Sequence, residues 1–380
     1  MTPEEATRYS RQIILPDFGT EGQDRLKRSR VLVIGMGGLG SPASLYLAAA
    51  GVGTLGICDF DKVDLTNLHR QVLHGTESVG RPKIDSARER LQSVNPEIEI
   101  RAHAEGVTVD NAVDLFREYD IIVDGSDNFP TRYLNNDAAY FAGKPLVYGS
   151  IFQFEGQLTV FHPAEGSPCY RCLFPQMPEP GTVPNCAEAG VLGALPGIIG
   201  SLQAMEAIKW ITRCGKAPLG RLLVYDALRT RFQEVSIKPD PDCPLCGEHA
   251  GIQSIQAENY EWACEVPEPK PMSDSELPME ISVAESKRKR DAGAHLLDVR
   301  EAFERDICKI EGAHPIPMKE IPHRLTELDK SQPLVVYCHH GMRSLRATQY
   351  LRQWGFEKAQ SMSGGIDAWA NEIEPDMRRY

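Results

Sequence analysis

The sequence predicts an α/β protein in two parts: a large doubly wound parallel sheet, then a small second α/β domain. Short aliphatic runs recur with helical-length segments between them. A glycine-rich turn joins the first run to the first helix, and an acidic, proline-rich stretch separates two regularly patterned regions. The length of 380 residues, at about 150 residues per domain, fits two or three domains.

The first domain spans residues 1–250. It holds the apolar run Val31–Ile34, the turn GMGGLGS, an Ala- and Leu-rich helix from Pro42 to Ala50 and a strand from Thr54 to Cys58. Strand, glycine turn, helix and strand in that order form a parallel βαβ unit, because parallel strands need a long crossover connection. The runs Ile121–Val123 and Leu146–Tyr148 continue the sheet in parallel. Residues 151–162 and 221–237 alternate apolar with polar and read as antiparallel additions, while Gly197–Trp210 has helical spacing. Residues 251–279, rich in Glu and Pro and poor in aliphatics, form the linker. In the second domain, 280–380, a Lys/Arg-rich helix, strands Leu296–Val299 and Leu334–Tyr337 and a helix from Ser344 to Trp354 complete the pattern.

Composition excludes several classes. A net charge of -12 argues against nucleic acid or an anionic membrane as partner. No run reaches the roughly 18 apolar residues of a membrane span. The charged N-terminus MTPEEATRYSRQ is no signal peptide, so a cytoplasmic protein is expected. Ten cysteines in such a chain point to metal ligation and thiol chemistry rather than to disulfides.

Gly35, Gly37, Gly38 and Gly40 follow a strand and open a helix, the Rossmann-like arrangement in which bare amides and a helix N-terminus hold phosphate. Asp59 ends the next strand, where a carboxylate can accept from ribose hydroxyls, and to this point an NAD-dependent oxidoreductase fits equally well. Arg70 and Lys83 then add two cations, which suit a triphosphate better than a pyrophosphate already held by a helix end. Asp127, beside Asn128 after the strand Ile121–Val123, adds a carboxylate for Mg²⁺ between phosphates.

Cys169-x-x-Cys172 and Cys243-x-x-Cys246 are two knuckles that together offer zinc four thiolates. A closed set of four protein ligands makes the metal structural. Cys186 lies in a Pro- and Gly-rich loop, where a thiol can approach an acyl group. Cys338 ends the strand Leu334–Tyr337 and starts CHHGMRS, so loop amides, the following helix N-terminus and Arg343 all favour its thiolate. Asp298 and Arg300 read as a structural ion pair, and the histidines of the Cys338 loop as solvated.

Residues 8–247 resemble the ThiF/MoeB branch of the ubiquitin-activating superfamily. The likeness rests on RYSRQ at 8–12, GMGGLGS, DFDKVDLTNLHRQ, GRPK, Ser126-Asp127-Asn128, EGQLTVF at 155–161 and GSLQAMEAIK at 200–209, taken in order. The resemblance implies ATP-dependent adenylation of the C-terminal glycine of a ubiquitin-fold sulfur carrier with a Gly-Gly tail. It implies ATP contacts from Gly38, Asp59, Thr66, Asn67, Leu68, His69, Arg70, Lys83, Asp127 and Asn128, with Mg²⁺ on Asp127. Arg11 would act across a homodimer as an arginine finger; its alternative is a surface ion pair. Cys186 would form a thioester with the carrier or a disulfide with the sulfur donor.

Residues 280–370 resemble a rhodanese domain, through LDVRE at 297–301, the Cys338 loop and SGGIDAW at 363–369. The resemblance implies a persulfide on Cys338, supplied by a cysteine desulfurase or another persulfide donor, and a carrier thiocarboxylate as product, for molybdopterin or a related sulfur-containing cofactor. Two other readings compete. An NAD-dependent oxidoreductase with an accessory sulfurtransferase domain would leave Arg11, Arg70, Lys83 and Asp127 idle, and a scaffold whose second domain only docks a partner would form no persulfide.

Overall fold

The computed structural model describes residues 1–178, 190–260 and 277–380. The chain divides into two compact units, Met1–Cys264 and Glu265–Tyr380.

In the first unit eight strands form one sheet: β1 (Arg30–Ile34), β2 (Thr54–Cys58), β3 (Glu99–His103), β4 (Ile121–Asp124), β5 (Leu146–Phe152), β6 (Glu155–Phe161), β7 (Arg221–Asp226) and β8 (Arg231–Ser236). Their order is β3-β2-β1-β4-β5-β6-β7-β8. The first five pair in parallel, and β5 to β8 pair antiparallel, as the alternation at 151–162 and 221–237 implies. Sequence reading missed β3, whose residues EIRAH are mostly polar and half exposed at the sheet edge.

Helices α1 (Pro3–Arg8), α2 (Ser10–Ile13), α3 (Gly19–Arg28), α4 (Gly40–Ala50), α5 (Lys83–Val94), α6 (Ala112–Arg117), α7 (Phe129–Ala142), α8 (Tyr170–Leu173) and α9 (Leu195–Thr212) surround this sheet. Strand periodicity sorts the core into two layers. Val31, Val33, Leu55 and Ile57 face one layer with Leu26, Leu47, Leu91 and Ala204. Leu32, Ile34 and Ile122 face the other with Phe116, Tyr133 and Leu134. The chain thus runs from β1 to β2 on one side and returns to β4 on the other. Such a switch of direction opens a crevice at the carboxyl ends of the strands, where α/β sheets bind ligands.

The start of the segment read as linker packs on this unit. Ile252 joins the cysteine knuckles, Ile255 and the buried Tyr260 join the second core layer, and the Tyr260 hydroxyl donates to Asp137 at 2.9 Å.

The second unit is a five-stranded parallel sheet in the order β11-β10-β12-β13-β9. Its strands are β9 (Glu280–Ile281), β10 (His295–Asp298), β11 (His314–Pro315), β12 (Leu334–Tyr337) and β13 (Ala359–Met362). Its helices are α10 (Val283–Asp291), α11 (Ala302–Ile307), α12 (Ile321–Arg324), α13 (Met342–Gln353) and α14 (Gly365–Glu372). Two apolar clusters line its faces. Among the described residues no helix is long and apolar enough to cross a membrane.

Candidate active sites and metal centre

The glycine turn sits at the switch point between β1 and β4. Gly125 N donates to Ile34 O at 2.8 Å. A Cβ on Gly40 would lie 1.7 Å from Gly35 O, so only glycine lets α4 begin this close to β1. Asp59 braces the turn from β2, its Oδ2 accepting from Met36 N at 2.7 Å and its Oδ1 from Asp61 N at 2.8 Å. His74 supports it from below, with Nε2 2.9 Å from Met36 O and Nδ1 3.0 Å from Ser86 Oγ. Burial pushes the His74 pKa down, which keeps the ring neutral for this bridging role. Sequence reading gave His74 no role, because nothing local distinguishes it from a solvated histidine.

The cations predicted for phosphate lie along the segment after β2. Arg70 Nη1 donates to Thr66 O at 3.1 Å and lies 2.8 Å from His69 Nε2. Burial first, then Arg70, lowers the His69 pKa. Thr66 donates through N and Oγ1 to Asp64 Oδ1, at 2.8 and 2.6 Å, which closes a short turn through Asn67 and Leu68. The Lys83 ammonium is held 2.8 Å from Asp61 Oδ2. Gly193, just before α9, packs so closely on His69 that a Cβ there would meet His69 O at 2.4 Å, and Pro196 lies against Gly38. Cys186 lies outside the described residues.

At the end of β4, the buried Asp124 Oδ1 accepts from Ser126 N at 2.9 Å, from Ser126 Oγ at 2.6 Å and from Asn135 Nδ2 at 3.1 Å. Arg132 Nη2 donates to Ser126 O at 3.1 Å. These contacts fix the turn that presents Asp127 and Asn128, both exposed. Asn128 caps α7, its side chain accepting from Thr131 N at 2.9 Å. Asp127 has no partner among the described residues.

Arg11 is exposed on α2. Its neighbours anchor the helix: the Tyr9 hydroxyl accepts from Asn95 at 2.8 Å, and Gln12 Nε2 donates to Ala50 O at 2.8 Å. Among the described residues no carboxylate pairs with Arg11.

The four knuckle cysteines converge, with all Sγ atoms within 4.8 Å of one another. The sulfurs of Cys172 and Cys246 stand 3.4 Å apart, that of Cys169 lies 3.5 Å from those of Cys243 and Cys246, and those of Cys169 and Cys172 are 3.8 Å apart. A tetrahedron with Zn–S bonds of about 2.3 Å has edges of about 3.8 Å, so the donor set fits zinc. The first knuckle is pinned to α7 by the buried Arg171, which bonds Asp137 through Nε and through Nη2 at 2.7 Å.

In the second unit Cys338 is buried at the mouth of α13, its sulfur accepting from Gly341 N at 3.1 Å. The start of α14 holds the loop from behind: Ile366 N donates to Cys338 O at 2.9 Å and Asp367 N to His339 O at 3.1 Å. Arg343, expected to face the thiolate, gives its Nη1 and Nη2 to Glu304 at 2.8 and 2.7 Å. Its charge still reaches Cys338, but two of its five N–H donors go to Glu304. Asp298 and Arg300 form the expected ion pair at 2.7 Å, both fully buried. The reading of the loop histidines as solvated is corrected for His339. It is buried and stacked between His340 and Tyr380, at 3.9 and 4.2 Å between centroids. Burial, and then His340, push its pKa down to about 4.

Residues 9–245 match the ThiF family and residues 282–372 the rhodanese-like domain. A probable adenylyltransferase/sulfurtransferase MoeZ of Mycobacterium tuberculosis is 47% identical, over 100% of this chain and 96% of its own length. Adenylyltransferase and sulfurtransferase MOCS3-1 of Zea mays is 43% identical over 98% of this chain and 83% of its own. A sulfur carrier protein adenylyltransferase of Thermus thermophilus is 54% identical over 69% of this chain and 98% of its own. A crystal structure of E. coli MccB with ATP shares the fold at a TM-score of 0.56 and 23% identity, covering 63% of this chain and 74% of that one.

Proposed function

Because this chain belongs to the ThiF family and carries a rhodanese-like domain after it, we propose that it converts the C-terminal glycine of a ubiquitin-fold sulfur carrier into a thiocarboxylate. The chain is an adenylyltransferase and a sulfurtransferase. One observation carries the reading: a single chain holds both a glycine turn edged by Asp127, unpaired among the described residues, and a Cys338 thiol that accepts from the Gly341 amide.

A carboxylate is a poor electrophile until its oxygen is made a leaving group. In the proposed reaction a carboxylate oxygen of the carrier's Gly-Gly tail attacks the α-phosphate of MgATP, and pyrophosphate leaves. Asp59 would take the ribose hydroxyls and the Gly38 amide the phosphates, with Thr66 to Arg70, Lys83 and Asn128 completing the pocket. Lys83, Arg70 and Arg11 of the partner subunit in a homodimer would stabilise the charge on the departing pyrophosphate. Magnesium, held by Asp127, would neutralise phosphate charge. Zinc, held by Cys169, Cys172, Cys243 and Cys246, would cross-link two distant stretches of the first unit.

The outer sulfur of a Cys338 persulfide then attacks the acyl carbon and displaces AMP, giving an acyl disulfide. A thiol that attacks the Cys338 sulfur releases the thiocarboxylate and leaves a disulfide for a reducing thiol to reopen; Cys186 is the candidate. The part of the linker after Tyr260 would tether the two units and raise their effective concentration. A cysteine desulfurase would load Cys338, in the cytoplasm, for molybdopterin or a related cofactor.

The test is to weigh a Gly-Gly carrier after incubation with the chain, ATP and a persulfide source. Replacement of one oxygen by sulfur, lost in Cys338→Ala, supports the scheme; adenylation without sulfur gain confines the activity to the first unit.

A further inference from the structure

We propose that Tyr380 is a positioning residue of the sulfurtransferase site, holding the Glu304–Arg343 pair and the His339 ring in one arrangement around Cys338. The proposal rests on the reading of Cys338 as the persulfide carrier and names a residue that reading does not use.

Tyr380 engages the site in three ways. Its hydroxyl donates to Glu304 Oε1 at 2.8 Å and accepts from Arg300 Nη1 at 3.0 Å, while its ring stacks on His339 with an interplanar angle of 16°. Arg300 is itself fixed by the buried Asp298, so the hydroxyl ties the active loop to the rigid end of β10.

The carboxylate of Glu304 shows why this matters. It is 2% exposed and accepts four hydrogen bonds: Arg343 Nη1 and Glu301 N on Oε2, Arg343 Nη2 and Tyr380 on Oε1. Two carboxylate oxygens have about four acceptor sites, so each is filled. Losing the tyrosine hydroxyl leaves one of them desolvated and empty, and the carboxylate turns to recover a partner. Arg343 turns with it. A guanidinium released toward Cys338 would pair with the thiolate and lower its nucleophilicity, since nucleophilicity falls with thiol basicity. The Tyr380 ring acts in parallel by clamping His339, the residue next to the nucleophile.

The test uses the full-length chain with thiosulfate and cyanide. Cys338 takes the sulfane sulfur as sulfite leaves, and cyanide removes it as thiocyanate, restoring the thiolate. In Tyr380→Phe, which keeps the ring, kcat falls by about 10²-fold, the scale by which small misplacements slow a reaction, with the KM for thiosulfate little changed. Tyr380→Ala loses more. The Tyr380→Phe/Glu304→Gln double variant is no slower than Glu304→Gln alone, because both changes act through one group. A Tyr380→Phe kcat equal to wild type, or losses that multiply in the double variant, overturns the role of Tyr380. A wild-type chain that transfers no sulfur overturns the reading of Cys338 and this proposal with it.

Discussion

The Lys83 ammonium lies 2.8 Å from Asp61 Oδ2, with the lysine side chain 8% and the aspartate 54% exposed. A partly buried cation is thus held beside the glycine turn by a carboxylate that water still reaches, and an incoming triphosphate can replace that carboxylate at little desolvation cost. Lys83→Ala should slow carrier-dependent ATP–pyrophosphate exchange by about 10²–10³, the scale for losing one charge-stabilising donor. Asp61→Asn should change it by less than about tenfold, because the cation remains. Exchange at the wild-type rate in Lys83→Ala would remove this residue from the mechanism.

The knuckles predict a metal with a stability role. Metal analysis should find one zinc per chain, and a cobalt-loaded chain should show the absorption of tetrahedral thiolate ligation. Cys243→Ser should lower the Tm of the first unit by on the order of 10 °C, since a structural zinc site contributes folding energy directly, while thiosulfate–cyanide transfer continues. A chain free of metal with unchanged melting would refute this.

Behind the first knuckle, Asp137 is fully buried and accepts from Arg171 and Tyr260. Asp137→Ala leaves a guanidinium buried without its counter-charge and should cost about 3–5 kcal/mol, visible as a lowered denaturation midpoint. A loss within experimental error would mean that Arg171 finds another acceptor.

His339 sets a pH dependence. Its pKa is about 4 in the folded chain, from burial and then from His340, against about 6.5 in an unfolded one. Between those values the unfolded chain binds more protons. Stability is therefore fully present above pH 6.5 and falls as pH drops toward 4, by about 3 kcal/mol. NMR titration of the His339 ring in the full chain should give a midpoint well below 6. A midpoint near 6.5 would contradict its burial.

What was legible in the sequence was local. GMGGLGS after an apolar run, two Cys-x-x-Cys pairs and CHHGMRS after a strand each combine geometry and chemistry within a few residues, and the structure brings the four cysteines together across a separation of 74 residues. Polar strands were not legible. The residues of β3 and the AQSM of β13 lack the aliphatic run that marks a buried strand, although β13 is buried throughout. Long-range polar pairs were hidden too. Glu304 meets Arg343 over 39 residues and Tyr380 over 76, and Asp137 meets Arg171 over 34. Charge at one position does not announce its partner, so Arg343 read as facing Cys338 and His339 as solvated.

The most direct measurement is the mass of a Gly-Gly carrier after incubation with ATP, a persulfide source and either the wild-type chain or Cys338→Ala. The account predicts an oxygen-to-sulfur exchange with the wild type, and with Cys338→Ala only the acyl-adenylate and its hydrolysis product. Sulfur gain that persists in Cys338→Ala, or that proceeds without ATP, would contradict it.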